Sequence, residues 1–226
     1  GPTCFADLFP NEEPRDICTY GRQNWFDAVG REHAAVREAA VIFDQTSFAK
    51  FVLKGRDAEA ALSWVASNDV AKPVGSLIYT QMLNDKGGIE CDVTCARIAD
   101  DEYYIVTGTG FATHDFNWIA RNIPDGMHAE LVDVTSAYSV LALMGPNARA
   151  VLEQVTGDDV SNAGFPFGRV RTIGIAGCPV RALRITYVGE LGYELHVPVQ
   201  YATTVYDALM AAGGACQLVN VGYRAI

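Results

Sequence analysis

The chain has 226 residues, half of them hydrophobic and 19% charged, enough for one large domain or two small ones with a substantial core. Its 17 basic and 27 acidic residues give a net charge of -10, which argues against nucleic acid, whose phosphates need a basic face, but not against an anionic small molecule held by a few local arginines. No apolar run approaches the roughly 18 residues of a bilayer span, and no basic region followed by an apolar stretch marks a secretory leader, so the expectation is a soluble intracellular protein without a membrane partner.

Residues 1–23, with Pro2, Pro10, Pro14 and Gly21, read as an irregular arm or linker. The opening Gly1-Pro2 suggests a chain cut from something longer or left by tag removal. From Trp25 to Ala40 the apolar residues follow helical spacing, and Val41 to Asp44 is read as the end of that helix. Phe48–Leu53 reads as a strand. Gly55–Ser67 reads as a helix, with Ala58, Ala61, Leu62 and Val65 on one stripe. Leu77–Leu83 alternates like a strand, Asn84-Asp-Lys-Gly-Gly88 is turn chemistry, and Ile89–Ile98 is the return strand. Asp92 then lies near the start of a strand leaving a tight hairpin, where a short, stiff acid can be aimed at a ligand; the plainer alternative is a strand-end carboxylate facing solvent. A third strand at Tyr103–Thr107 and a helix from Phe111 to Ile123 close the unit.

The pattern then restarts. Leu53–Ala71 laid on Leu143–Ser161 gives eight identities in nineteen positions at an offset of 90. Tyr103 falls on Tyr193, Phe111-Ala-Thr113 on Tyr201-Ala-Thr203, and Asp44-Gln-Thr-Ser47 on Asp133-Val-Thr-Ser136. Two copies, about 44–123 and 133–212, are too few for a solenoid. They imply an α+β fold built as a duplicated pair of antiparallel-sheet and helix subdomains. The second copy has Pro146 at its helix start, strands near Val170–Ile175 and Val180–Tyr187, and a glycine-containing hairpin at Tyr187–Glu194, with Glu194 beginning the next strand. Gln217–Ile226 starts another strand and helix and reads as truncated.

Six cysteines (Cys4, Cys18, Cys91, Cys95, Cys178, Cys216) form no CxxC pair and read as reduced, mostly buried thiols. The four histidines show no metal spacing, so no metal is expected. Thr107-Gly-Thr-Gly-Phe111 resembles a dinucleotide loop, but Thr113 stands at the third glycine position and the surroundings read as hairpins, so a strand-to-helix turn is the better reading. No nucleophile elbow supports hydrolase chemistry. Arg169, Arg171, Arg181 and Arg184 read as solvated strand faces or as a counter-charge for an anionic tail.

Asp92 and Glu194 come from non-equivalent positions of the copies: at the constant offset Asp92 falls on Ala182 and Glu194 on Tyr104. Each half therefore offers a different acid, as recognition of an asymmetric ligand requires. Glu194 can accept two parallel hydrogen bonds from an amidine-like edge. Asp92 near a weakly basic amine can hold or remove a proton.

Gly87-Gly-Ile-Glu-Cys-Asp92, Leu143-Met-Gly-Pro146 and Tyr187-Val-Gly-Glu-Leu-Gly-Tyr-Glu194 resemble signatures of the aminomethyltransferase (glycine-cleavage T-protein) family. Arg37-Glu-Ala-Ala-Val-Ile-Phe-Asp44, Ser161-Asn-Ala-Gly-Phe-Pro-Phe167 and Asn220-Val-Gly-Tyr-Arg-Ala-Ile226 are similar to the C-terminal half of sarcosine and dimethylglycine dehydrogenases. Cys91, where the T-protein pattern has a second acid, favours the dehydrogenases. The resemblance runs from about Tyr20 to the last residue. It implies a folate-binding domain over 24–226, incomplete before a C-terminal barrel, with tetrahydrofolate between the halves. It implies Asp92 as the catalytic general base. Asp92, Val106, Tyr187, Glu194 and Arg224 would contact the folate, Glu194 gripping the pterin edge. FAD would sit in a covalently linked flavin domain outside this chain, oxidising an N-methyl amine to an iminium whose carbon ends in 5,10-methylenetetrahydrofolate. The location would be cytoplasmic, or the mitochondrial matrix in a eukaryote. The alternatives are a stand-alone T-protein-like aminomethyltransferase or folate-dependent demethylase, and a non-catalytic regulatory member.

Overall fold

Helix α1 (Phe26–Glu38) buries Ala28, Glu32 and Val36, a stripe spaced four residues apart. In the computed structural model, which describes residues 17–225, the chain does not taper off after this helix. It turns directly into strand β1 (Ala40–Asp44), so Val41–Asp44 is a strand and not a helix end. A run of buried β-branched and aromatic side chains, Val41-Ile42-Phe43, prefers the pleated conformation once both of its faces are covered.

The first copy continues with β2 (Ala49–Lys54), α2 (Ala58–Val65), β3 (Leu77–Leu83), β4 (Ile89–Ala99), β5 (Glu102–Thr107) and α3 (Ala112–Asn122). The second runs β6 (Glu130–Asp133), β7 (Tyr138–Met144), α4 (Ala148–Leu152), β8 (Val170–Ile175), β9 (Cys178–Leu183), β10 (Gly192–Pro198) and α5 (Ala202–Ala212). The chain then adds β11 (Leu218–Val221) and a single turn at Tyr223–Ala225. Residues 17–25 hold no helix or strand. Cys4 and the prolines of the arm lie outside the described residues.

Two sheets form, ordered β11-β1-β7-β10-β9-β8 and β3-β4-β5-β2-β6. Apart from the parallel pair β1–β11, their ladders are antiparallel. The copies exchange their first strands. β1 pairs with β7 of the second copy, and β6 pairs with β2 of the first. Gly55 and Gly145 make this exchange possible. Each has a positive φ, +144° and +108°. A Cβ would come within 2.1 Å of the His128 carbonyl oxygen at Gly55 and 2.5 Å of the Ala39 carbonyl oxygen at Gly145. Those carbonyls precede the exchanged strands and accept hydrogen bonds from Asp57 N–H and Asn147 N–H.

The outer face of each sheet is apolar and covered by its own helices. Leu53, Leu62, Tyr103 and Ile119 belong to one core, and Leu143, Leu152, Tyr193 and Leu209 to the other. Tyr103 and Tyr193 donate their buried hydroxyls to the carbonyls of Val70 and Val160, 3.0 and 2.9 Å away. The inner faces meet in a smaller seam core of Ala96, Tyr104, Val106, Val170 and Leu183. Helix α1 covers the rest of the first sheet's inner face, against Val41, Phe43, Ala142 and Met144.

Ladder registers correct one sequence alignment. Tyr104 pairs with Ala96 and Glu194 with Leu183, so β4 and β9 align at 87 rather than 90, and the counterpart of Asp92 is Pro179, not Ala182. Length changes in the hairpin and in the connections on either side of it explain the slip. The ladder keeps an unbroken register to Met82–Cys91 in the first copy, before a bulge and the pair Leu83–Ile89, and to Ile175–Cys178 in the second. Residues 83–90 thus stand where the second copy has only Ala176 and Gly177, both at positive φ as a two-residue turn demands.

Candidate functional site

Between the inner faces lies a cavity of about 490 Å³ whose walls include Phe48, Val106, Phe167 and Ile185. Beside it a more open compartment of about 750 Å³ is lined by Gln45, Ile89, Glu90, Phe111 and Asp115. Asp92, Tyr187, Phe48, Thr107 and Gly108 line both, so Asp92 and Tyr187 stand where the two spaces join.

Four of the five predicted folate contacts come together here. Asp92 lies on β4 opposite Gln81 of β3 and is exposed toward the cavity mouth. It is the fourth residue of an eleven-residue strand, held by ladders on both sides. Val106 on β5 is almost buried and forms part of the floor. Glu194 on β10, its side chain 13% exposed, points into the cavity from the opposite sheet. Tyr187, 71% exposed, sits in the connection between β9 and β10. Arg37 of α1 fastens that connection, donating to the Val188 carbonyl at 2.7 Å and to Glu190 at 3.0 Å. Arg224 is not brought in. Its guanidinium lies 4.1 Å over the Trp25 ring, and it lines neither space.

The arginine group is also not a solvated face. Arg169 donates to Ser76 Oγ and the Val74 carbonyl, and Arg171 to the carbonyls of Asp159 and Gly164. Buried Arg184 donates to the Gly192 carbonyl. Arg181 lies over the rings of Tyr104 and Tyr138. These side chains tie loops and sheets together. The Thr107–Phe111 segment is a single tight turn between an antiparallel strand and α3.

Some neighbours escaped the sequence reading. Tyr79 lines the cavity beside Asp92, and the carboxylate pushes the phenol's pKa up. The signal was available: with Gln81 opposite Asp92, residue 79 is the diagonal neighbour on the same face. Phe48 and Phe167 add aromatic walls that carry no spacing signal. A polar cluster also forms behind the open compartment. Buried Asp115 accepts a 2.5 Å hydrogen bond from Thr107 and faces His114 at 3.0 Å, while His114 lies 3.3 Å from Glu90. The Asp115 hydrogen bond above all raises the His114 pKa. Donor atoms of Cys91, His114 and Asp115 fall within 4.8 Å of one another, close enough to hold a metal ion. Burial pushes the Cys91 thiol pKa up and keeps it protonated, which opposes a thiolate ligand. Only strand β4 meeting helix α3 reveals this group, because Glu90 and Cys91 are distant in the chain from the adjacent pair His114 and Asp115. Among the described residues, no helix is long and apolar enough to cross a membrane.

The GCVT N-terminal domain model matches residues 3–226. Human mitochondrial sarcosine dehydrogenase is 40% identical over 225 residues, covering 93% of this chain and 24% of that protein. Human mitochondrial dimethylglycine dehydrogenase is 33% identical over 218 residues, covering 96% and 25%. The chain thus spans about a quarter of the length of these relatives. The crystal structure of the glycine cleavage system aminomethyltransferase T from Bartonella henselae superposes with a TM-score of 0.75 at 24% identity, over 98% of this chain and 59% of that one. It shares the α+β fold with two largely antiparallel sheets. The chain belongs to the GCVT N-terminal domain family, as an aminomethyltransferase-like domain related to sarcosine and dimethylglycine dehydrogenases.

Proposed function

We propose that this chain is the tetrahydrofolate-binding, one-carbon-transfer module of a flavoenzyme that dehydrogenates an N-methyl amine such as sarcosine or dimethylglycine. One observation carries the reading: Asp92 and Glu194, acids from opposite halves, line one apolar and aromatic cavity in the seam. A pterin is flat, with an amidine-like donor edge. The cavity suits it, with aromatic and aliphatic walls for the ring faces and a mostly buried carboxylate for the edge.

Bound tetrahydrofolate supplies a nucleophilic ring nitrogen for the one-carbon unit. Glu194 holds the donor edge and Tyr187 covers the mouth, which makes the encounter with that nitrogen effectively unimolecular. Asp92, at the junction with the open compartment, holds or removes the proton as the nitrogen gains its carbon substituent. Tyr79 stands beside that carboxylate on the cavity wall, a phenol within the same site. The open compartment, bordered by Glu90 and Asp115, is the approach for a cationic donor. The flavin, FAD, belongs to another part of the longer protein, in the cytoplasm or the mitochondrial matrix.

The test is a calorimetric titration of the chain with tetrahydrofolate, for wild type and Glu194→Ala. Saturable binding that weakens tenfold or more without Glu194, about 1.4 kcal/mol, is the expected result. Equal affinity in both proteins, or none in the wild type, would overturn the proposal.

A further inference from the structure

His196 lies two residues beyond Glu194 on β10, on the same face of the strand. It is completely buried, and its Nε2 has no hydrogen-bond partner. That nitrogen lies 3.5 Å from Glu194 Oε2, while Nδ1 lies 2.9 Å from the Tyr104 hydroxyl of β5. A buried polar nitrogen left without a full hydrogen bond is destabilising, and this one is aimed at the acid of the seam cavity.

The surrounding donors fix where the protons lie. The Arg181 guanidinium lies over the face of the Tyr104 ring, 4.3 Å from its centroid. Burial pushes the Tyr104 pKa far above the usual phenol range, so the hydroxyl keeps its proton. The Glu194 carboxylate beside Nε2 can only accept a hydrogen, so Nε2 carries one and the Tyr104 O–H points at Nδ1. Burial also lowers the pKa of His196, and the charged groups that face it are Glu194, which raises the pKa, and Lys50 and Arg181, which lower it. A neutral ring with an Nδ1 acceptor carries its hydrogen on Nε2, toward Glu194.

We infer that His196 is a positioning residue for Glu194: Tyr104 holds the imidazole as its Nε2–H tautomer, and that N–H turns one carboxylate oxygen inward, leaving the other for the ligand. Tyr104 occupies in the first half the position that Glu194 occupies in the second, and Val106 the position of His196. The repeat-related pair therefore meets across the seam through one imidazole. The 3.5 Å separation is long for a hydrogen bond and shortens as a ligand fixes the carboxylate.

This inference rests on the folate reading, so its test has one arm independent of folate. In the first arm, ¹⁵N NMR of the histidine-labelled chain without ligand reads the His196 tautomer. The neutral Nε2–H form is expected at neutral pH, with Tyr104→Phe giving a tautomer mixture. An Nδ1–H tautomer or an imidazolium in the wild type overturns the inference. In the second arm, tetrahydrofolate titrations are expected to show Tyr104→Phe weakening binding about three- to tenfold, with no further loss in a Glu194→Gln background. His196→Gln, which keeps an N–H donor, should bind within about threefold of wild type, and His196→Leu should bind at least as weakly as Tyr104→Phe. Unchanged affinity in both Tyr104→Phe and His196→Leu overturns the inference. Failure of the wild type to bind folate counts against the folate reading alone, and the tautomer measurement then decides.

Discussion

Corresponding positions of the two halves agree where they face outward and disagree where they face each other. On the outer faces Leu53 matches Leu143, Ala58 matches Ala148, Tyr103 matches Tyr193 and Val93 matches Val180, all buried. In the seam, Tyr104 corresponds to Glu194, Val106 to His196, Thr94 to Arg181 and Asp92 to Pro179. The difference has a physical origin. Each outer core is a local problem, one sheet face on its own helices, and the same apolar side chains solve it twice. The inner faces share one space around a pseudo-two-fold axis. Identical charges there would stand opposite each other, and a ligand without two-fold symmetry needs unlike groups from the two sides.

A hydrogen-bonded outer pair departs from this pattern. Asp115 and Thr107 stand where the second half has the apolar pair Val205 and Val197. The first half thus holds a buried polar link on α3 that its twin does without.

The sharpest way to break the comparison is through the glycines that permit strand exchange. Gly55→Ala and Gly145→Ala should each cost about 3 kcal/mol or more, because backbone oxygen blocks the Cβ and φ is positive. Urea unfolding would show losses alike to about 1 kcal/mol, and a silent substitution at either site would end the equivalence. Asp115→Val comes next. Alone it leaves the Thr107 hydroxyl without its acceptor and should cost about 1–3 kcal/mol. Combined with Thr107→Val, which copies the second half, the loss should shrink below about 1 kcal/mol. Tyr103→Phe and Tyr193→Phe each remove one buried hydroxyl donor and should cost about 1–1.5 kcal/mol. Tyr193→Phe should be the more costly, since Arg149 also donates to that hydroxyl at 3.1 Å.

The smallest effect is a pH dependence confined to the first half. The Asp115 hydrogen bond raises the folded-state pKa of His114 above its ordinary value, about 6.5. Stabilisation from this group is therefore fully present below that value and is lost as pH rises through the raised folded pKa. His114→Asn should lower the urea midpoint at about pH 6 and leave it unchanged at about pH 9. The counterpart Thr204→Asn should change nothing that depends on pH.

Local pattern made much of this legible. Hydrophobic periodicity placed α1, α2 and α3, turn chemistry placed the Asn84–Gly88 hairpin, and repeated residues revealed the duplication. Residues 41–44 were misread because a short apolar run after a helix looks like its last turn until a partner strand is known. The equivalence of Asp92 with Ala182 failed for a related reason. Eight residues in one hairpin replace two in the other, longer connections before β8 and after β9 restore the offset, and length changes in turns leave no mark on the flanking alternation.

Sequence alone determined most of the helices and hairpins of the first copy, the duplication, and two unlike acids on matched scaffolds, because periodicity and turn preference act within a few residues. Tertiary structure decided the exchange of β1 and β6, the register that puts Asp92 and Glu194 on one cavity, the removal of Arg224 to Trp25, and the meeting of Tyr104, His196 and Glu194. Apart from the neighbours Glu194 and His196, those contacts join residues roughly 75 or more positions apart in the chain, and long-range strand pairing sets them, which no local pattern encodes.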